Sequence, residues 1–191
     1  GSTATAGQLT YTGTGETSDR VINLAGTTGG GILDQSGSGT LTFSSDFTAT
    51  GAGAKTLTLQ GSTIGAGVIS GAIVDNSGIN TTSVTKTGSG TWTLSGTNTY
   101  SGATTVSTGV LNIQNGSALG ATAGATSVTS GAALEVQGNI AVGAETLTLN
   151  GTGIANNGVL RNISGTNSWS GNIVLSTNST IGSDSGSLNI G

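Results

Sequence analysis

The sequence contains no cysteine, histidine, proline or methionine. Without cysteine there is no disulfide framework and no thiolate metal site. Without histidine or cysteine, a catalytic base or nucleophile would have to be a carboxylate, a lysine or a hydroxyl group. Disordered chains are usually rich in proline or charge, and only 6% of these 191 residues are charged. The absences therefore favour a folded domain over a disordered one.

Basic and aromatic residues are scarce as well. The formal net charge is −4, and aromatic residues make up 3% of the chain. The four basic residues, Arg20, Lys55, Lys86 and Arg161, are scattered, whereas nucleic-acid binding needs many cations to neutralise phosphates. No stretch approaches the roughly 18 consecutive apolar residues of a membrane-spanning helix. We expect no nucleic-acid partner and no membrane insertion of this segment.

Apolar residues instead alternate with Thr, Ser or Asn in short runs separated by glycine-rich clusters. Strict alternation puts one side of a short strand inside and the other in water, and glycine permits the tight turns between strands. The alternating pairs are Leu9/Tyr11, Ile22/Leu24, Leu41/Phe43, Leu57/Leu59, Trp92/Leu94, Leu111/Ile113, Leu134/Val136, Leu147/Leu149, Ile173/Leu175 and Leu188/Ile190. The pattern predicts an all-β protein.

Several phrases of the sequence return in altered form. SGTNTYSG at 95–102 returns as SGTNSWSG at 164–171, and the stretch that begins AKTLTLQG at Ala54 returns as AETLTLNG from Ala144. Such repeats indicate stacked units, and their uneven spacing indicates turns of variable length.

A parallel β-helix, or β-solenoid, fits these features better than a sandwich, whose two broad inner faces need more bulky residues. We predict that 1–191 is a single solenoid segment of degenerate repeats, cut from a longer secreted protein. With roughly 20 to 25 residues a coil, it would make about eight or nine coils. At about 4.8 Å a coil, the rod would be on the order of 40 Å long.

The stretch VTKTGSGTWTLSGTNTYSGATTVSTGVLNIQNGSALG, Val84 to Gly120, resembles the autotransporter-associated β-strand repeat of bacterial autotransporter passenger domains. The resemblance implies a right-handed parallel β-helix that is exported across the outer membrane to the cell surface or the extracellular space.

No pattern of acidic residues identifies a catalytic site. The acids are Glu16, Asp19, Asp34, Asp46, Asp75, Glu135, Glu145 and Asp184. Only Glu16 and Asp19 lie close in sequence, although adjacent coils of a glycan-cleaving β-helix could bring distant acids together. Gly29–Asp34 has the wrong spacing for a calcium-binding nonapeptide, and Lys86 precedes its glycines, unlike a phosphate loop. We assign no catalytic, cofactor-binding or metal-binding residue and expect no enzyme activity.

Threonine pairs and aromatic rings each allow a surface-binding hypothesis. Thr40/Thr42, Thr56/Thr58, Thr91/Thr93 and Thr146/Thr148 should all point outward, but their steps do not reduce to one coil length. We interpret them as β-branched residues suited to exposed strand positions.

Trp92, Tyr100 and Trp169 could stack on sugars if exposed. Tyr100 and Trp169 occupy the same position of the repeated phrase, which favours packing against a neighbouring coil.

These observations favour a structural function: a stalk or surface-display segment of a secreted, adhesin-like autotransporter passenger. Its expected partners are neighbouring solenoid segments of its own or identical chains. Two alternatives remain open. One is a subunit of a self-assembling extracellular filament, and the other is a glycan-binding or glycan-degrading β-helix that contacts surface glycans or host or sister cells.

Overall fold

The computed structural model describes residues 4–61 and 65–191, so residues 62–64 of the repeat that begins at Ala54 lie outside it. The described residues form short strands and two single-turn 3-10 helices, Thr122–Gly124 and Ile154–Asn156. The strands are β1 (Gly7–Tyr11), β2 (Glu16–Ser18), β3 (Gly31–Gln35), β4 (Leu41–Phe43), β5 (Lys55–Gln60), β6 (Gly67–Ile69), β7 (Thr82–Lys86), β8 (Thr91–Leu94), β9 (Thr104–Val106), β10 (Gly109–Ile113), β11 (Thr126–Val128), β12 (Ala132–Gln137), β13 (Ala141–Val142), β14 (Leu147–Leu149), β15 (Leu160–Ser164), β16 (Thr166–Trp169), β17 (Ile173–Leu175), β18 (Ile181–Ser183) and β19 (Ser187–Ile190).

The strands stack into parallel sheets that run along one axis. Sheet 1 has the order β1-β3-β5-β7-β9-β11-β14-β17, and sheet 2 joins the strands β2-β4-β6-β8-β10-β12-β15-β18. Sheet 3 contains β13, β16 and β19. Each coil contributes one strand to sheet 1 and one to sheet 2, which gives eight coils. The prediction of an all-β, parallel solenoid is confirmed, and nine of the ten alternating pairs lie within strands.

The third side of the solenoid is less regular, and the tenth pair, Ile22/Leu24, lies there. Asn23 forms only an isolated parallel bridge with Thr48. Backbone hydrogen bonds nevertheless continue between coils on this side, as from Leu24 N to Thr48 O and from Phe47 N to Ala72 O. Successive segments of the chain therefore run parallel on this side even where they form no regular strand. No helix among residues 4–61 and 65–191 has the length and apolarity of a membrane span.

The number of residues in a coil varies more widely than the sequence suggests. Val84 pairs with Thr104, twenty residues later, whereas Leu57 pairs with Val84, twenty-seven residues later. The turns absorb this variation, because the strands keep their register in both cases. The expected coil of roughly 20 to 25 residues is too short for the longer coils.

Side chains at corresponding inward positions form columns along the axis. One column in sheet 1 runs Leu33, Leu59, Lys86, Val106, Val128 and Leu149. One column in sheet 2 runs Leu41, Gly67, Trp92, Leu111, Leu134 and Leu160. The core is a stack of these columns, and each residue in it contacts the coil before and the coil after its own.

Gly67 makes room in this column for the ring of Trp92, which is 1% exposed. A Cβ atom added at Gly67 would lie 2.3 Å from Cδ2 of Trp92. The Trp92 ring is held in place because its Nε1 donates a hydrogen bond to the carbonyl oxygen of Gln60 at 2.9 Å.

We predict that Gly67→Ala lowers the free energy of unfolding by about 1–3 kcal/mol, because it overpacks the core. Urea denaturation followed by tryptophan fluorescence measures this. Gly78→Ala is the matched control, because nothing lies within 4 Å of an added Cβ there. Equal stability of the two variants would contradict the packing at Gly67.

Candidate functional site

The first copy of the repeated phrase, SGTNTYSG at 95–102, lies in coils four and five, which are built from β7, β8, β9 and β10 and the turns between them. Two kinds of side chain recur here and in other copies of the phrase. One is the last residue of a strand of sheet 1 and bonds to the glycine-rich turn that follows. The other is an Asn with an aromatic residue two positions later. These polar and aromatic groups distinguish the repeat from an ordinary alternating strand.

Lys86 is fully buried at an inward position of β7, at 0% exposed. Its Nζ donates hydrogen bonds to the carbonyl oxygens of Thr87 at 2.7 Å, Gly88 at 2.8 Å and Thr108 at 3.0 Å. The first two belong to the turn after β7, and the third belongs to the next coil. Burial lowers the pKa of Lys86 to about 8, so the side chain is mostly protonated at neutral pH. The lysine thus supplies hydrogen-bond donors to the carbonyl oxygens of two turns in adjacent coils.

Gln35 has the same role in the related phrase QSGSGT at 35–40. Its Nε2 donates to the carbonyl oxygens of Gly39 and Ala66, and its Oε1 accepts from the backbone N–H of Gly37 at 2.8 Å.

Lys55, 3% exposed, also donates to turn carbonyl oxygens, but from the first residue of its strand, β5. Its Nζ contacts the carbonyl oxygens of residues 51–53 at 2.5–3.0 Å. Burial lowers its pKa also. Two of the four basic residues are therefore internal, which their scattered positions in the sequence did not indicate.

The asparagines of the repeated phrase connect neighbouring coils on the third side. Asn98 Oδ1 accepts a hydrogen bond from Ile73 N at 2.8 Å, and its Nδ2 donates to Ala118 O at 2.5 Å. In the second copy, Asn167 Oδ1 accepts from Ile140 N at 2.7 Å. Both asparagines are buried. Their side chains form hydrogen bonds between coils on a side where the backbone ladder is incomplete.

The aromatic residues of the phrase are buried beside these asparagines. Tyr100 and Trp169 are each 0% exposed. The Tyr100 hydroxyl lies 2.7 Å from Thr104 Oγ1, and Trp169 Nε1 donates to the carbonyl oxygen of Glu145 at 2.9 Å. With Trp92 also buried, none of the three rings presents a face for stacking on sugars. The interpretation that they pack between coils is confirmed.

Most of the acidic residues make structural contacts. Asp75 Oδ1 accepts from Thr82 N at 2.6 Å, and its Oδ2 accepts from Ser101 N and Oγ at 3.0 and 2.6 Å. Glu135 and Asp184 both pair with Arg161, at 3.4 and 2.5 Å. Burial is the main cause that raises the pKa of Glu135.

The remaining acids are spread over the surface and the core. Asp34 accepts hydrogen bonds from Ser36, Gln60 and Gln8 on the outer face of sheet 1. Glu16 and Asp19 are exposed in the first coil. Glu145 is buried at 2% exposed. In the part of the chain that the structure describes, no three acidic side chains lie close enough to hold a metal ion.

The threonine pairs divide between two sheets. Thr42 and Thr93 lie on sheet 2, whereas Thr58 and Thr148 lie on sheet 1. All of these side chains point outward, as predicted. The strand register also aligns some of these threonines with other hydroxyl residues. The alignment is not visible in the sequence spacing, because the coils differ in length. One outward line on sheet 1 contains Thr58, Thr85, Thr105, Ser127 and Thr148.

We predict that Lys86→Met lowers the free energy of unfolding by about 1.5–3 kcal/mol, because three turn carbonyls lose a charged donor. Lys86→Gln is the matched control, since Gln35 serves the related turn, and it should retain more of the stability. Urea denaturation measures both. A Met variant as stable as the Gln variant would show that the hydrogen bonds to the turn are dispensable.

We predict that Trp169→Ala lowers the free energy of unfolding by about 3–5 kcal/mol, the usual cost of truncating a buried aromatic residue. Thr166→Ala, at an exposed position of the same strand, should change it little. Thermal denaturation provides the comparison. Unchanged stability of the Trp169 variant would be inconsistent with a packing role.

Residues 84–113 match a family model described as passenger-associated-transport-repeat. The matched range begins within β7 and ends with the last residue of β10, so it contains Lys86, Asn98 and Tyr100. No curated protein and no solved structure gives a significant match to the chain. The match confirms the resemblance of Val84–Gly120 to a repeat of autotransporter passengers. The segment of coils four and five at residues 84–113 is therefore similar to the passenger-associated-transport-repeat, a repeat family of autotransporter passengers.

Proposed function

We propose that the chain is a stalk or surface-display segment of a secreted, adhesin-like autotransporter passenger. The observation that carries the proposal is that a passenger repeat lies in the middle of two parallel sheets that each continue through all eight coils. A segment of this kind spaces the regions on either side of it at a fixed distance. The passenger repeat supports export to the cell surface or the extracellular space.

The geometry of the ladder suits a spacer. Strands lie across the axis, so the hydrogen bonds between coils run along it, and eight coils at about 4.8 Å extend on the order of 40 Å. The repeat's own polar groups, Lys86 and Asn98, both bond to a neighbouring coil. These two polar side chains therefore connect adjacent coils.

The outer faces are consistent with a solvated segment. The outward positions of sheet 1 carry mainly hydroxyl and amide side chains, and Arg161 on sheet 2 is paired with two carboxylates. On this proposal the partners of the segment are neighbouring solenoid segments. Adhesion to glycans, host cells or sister cells is assigned to other parts of the parent protein.

We predict that negative-stain electron microscopy of the purified chain shows short rods of one length at every concentration. Small-angle X-ray scattering on the same samples should fit an elongated particle, and a compact sphere would contradict the proposal. Fibres that lengthen with concentration would instead support a filament subunit. Release of reducing ends from a panel of polysaccharides would replace the proposal with a glycan-degrading activity.

A further inference from the structure

A line of polar side chains crosses the interior of coils four to seven. In the inward column of sheet 1 that contains Leu57, Val84 and Leu147, two consecutive positions are threonines, Thr104 and Thr126. They are each 1% exposed. Tyr100 lies at one end of this line and Glu145 at the other, and neither is more than 2% exposed. Four polar groups thus occupy a region where apolar residues are expected.

The hydrogen bonds of this line leave one atom without a partner. The Tyr100 hydroxyl bonds to Thr104 Oγ1 at 2.7 Å, and Thr126 Oγ1 donates to Glu145 Oε1 at 2.8 Å. The other carboxyl oxygen, Glu145 Oε2, is buried and has no hydrogen-bond partner among the described residues. It is the one buried side-chain oxygen or nitrogen in the described ranges of which this is true.

Basic side chains do not compensate a charge on Glu145. Lys55 and Lys86 donate to turn carbonyls, Arg161 pairs with Glu135 and Asp184, and Arg20 is exposed in the first coil. An ionised carboxylate that is buried without a cation costs several kcal/mol, and such a group usually takes up a proton instead.

The electrostatic surroundings agree with this geometry. Burial raises the pKa of Glu145, and the hydrogen bond from Thr126 opposes the rise. Tyr100 is the titratable group that faces it, and burial raises the pKa of Tyr100 well above its usual range, so this hydroxyl stays neutral. The other elements that contact Glu145 present Thr126 and Trp169, which do not titrate.

We propose that Glu145 is a proton-dependent stabilising group inside the solenoid: its neutral carboxyl form holds coils six and seven together, and its ionisation loosens them. This inference does not depend on the proposed function. Because the folded-state pKa lies above the unfolded one, the stabilisation is fully present below the usual value of 4.5. It is lost as the pH rises through the folded-state pKa. The contribution of Glu145 to stability should therefore be larger in mild acid than in neutral or alkaline solution.

The test is urea denaturation of the full chain at a series of pH values from 4 to 9, for the wild type and for Glu145→Gln. The amide is isosteric with the neutral carboxyl and cannot ionise. We expect the ratio of folded to unfolded wild-type protein to fall, relative to the variant, by up to roughly tenfold per pH unit between the two pKa values. Above that window the variant should be the more stable protein.

Glu135→Gln is the matched control, because burial raises the pKa of Glu135 too, but that carboxylate is paired with Arg161. The stability of Glu135→Gln should fall with rising pH as that of the wild type does, because Glu145 is intact in both proteins. A Glu145→Gln variant that is less stable than the wild type by the same factor at every pH would overturn the proposal, since that result requires an ionised carboxylate in the folded state.

Infrared spectroscopy gives a second readout that does not depend on stability. A neutral carboxyl group has a carbonyl stretch distinct from that of a carboxylate. As the pH rises, the wild type should keep this band beyond the range in which exposed carboxyl groups ionise, because burial raises the pKa of Glu145. The band should be absent from Glu145→Gln and present in Glu135→Gln. If Glu145→Gln fails to fold, Glu145→Met provides the same comparison. A wild-type band that disappears together with those of the exposed carboxyl groups would also overturn the proposal.

Discussion

The structure depends on the continuous parallel hydrogen-bonded ladder, which requires every coil to return to the same register whatever its length. Twenty residues separate Val84 from its partner Thr104, and twenty-seven separate Leu57 from Val84. The excess residues must be placed in turns, where backbone carbonyls have no strand partner. Lys55, Lys86 and Gln35 supply donors to those carbonyls from inside the solenoid. The buried polar groups are thus a consequence of uneven coils under a fixed register.

The same constraint explains the composition of the core. A residue at an inward position packs against the coil before and the coil after it, so a large ring in one coil needs a small residue next to it. Gly67 beside Trp92 is such a case. On the third side, where strands are short or missing, Asn98 and Asn167 take over hydrogen bonds that a regular ladder would form through its backbone. The repeated phrase therefore encodes contacts between coils.

Alternation of apolar and polar residues predicted nine of the described strands, because the side chain of each strand residue points in or out according to its position. The repeats and the scarcity of bulky residues predicted the solenoid. The columns could not be predicted, because they depend on which residue of one coil faces which residue of the next. From the sequence Lys86 was therefore only one of four scattered basic residues, although it lies level with Leu59 and Val106. For the same reason the spacing of the threonine pairs did not reveal that Thr58 lies in one line with Thr85 and Thr105. Nothing near Glu145 in the sequence marks it as internal, since its partner Thr126 belongs to another coil.

The register itself can be measured by NMR nuclear Overhauser contacts between the methyl groups of the outward threonines on sheet 1. The structure predicts contacts of Thr85 with Thr58, twenty-seven residues before it, and with Thr105, twenty residues after it. Both sets should appear in the same sample, with parallel strand direction. Contacts at one uniform separation, or an antiparallel pattern around Thr85, would contradict a ladder that keeps its register across coils of unequal length.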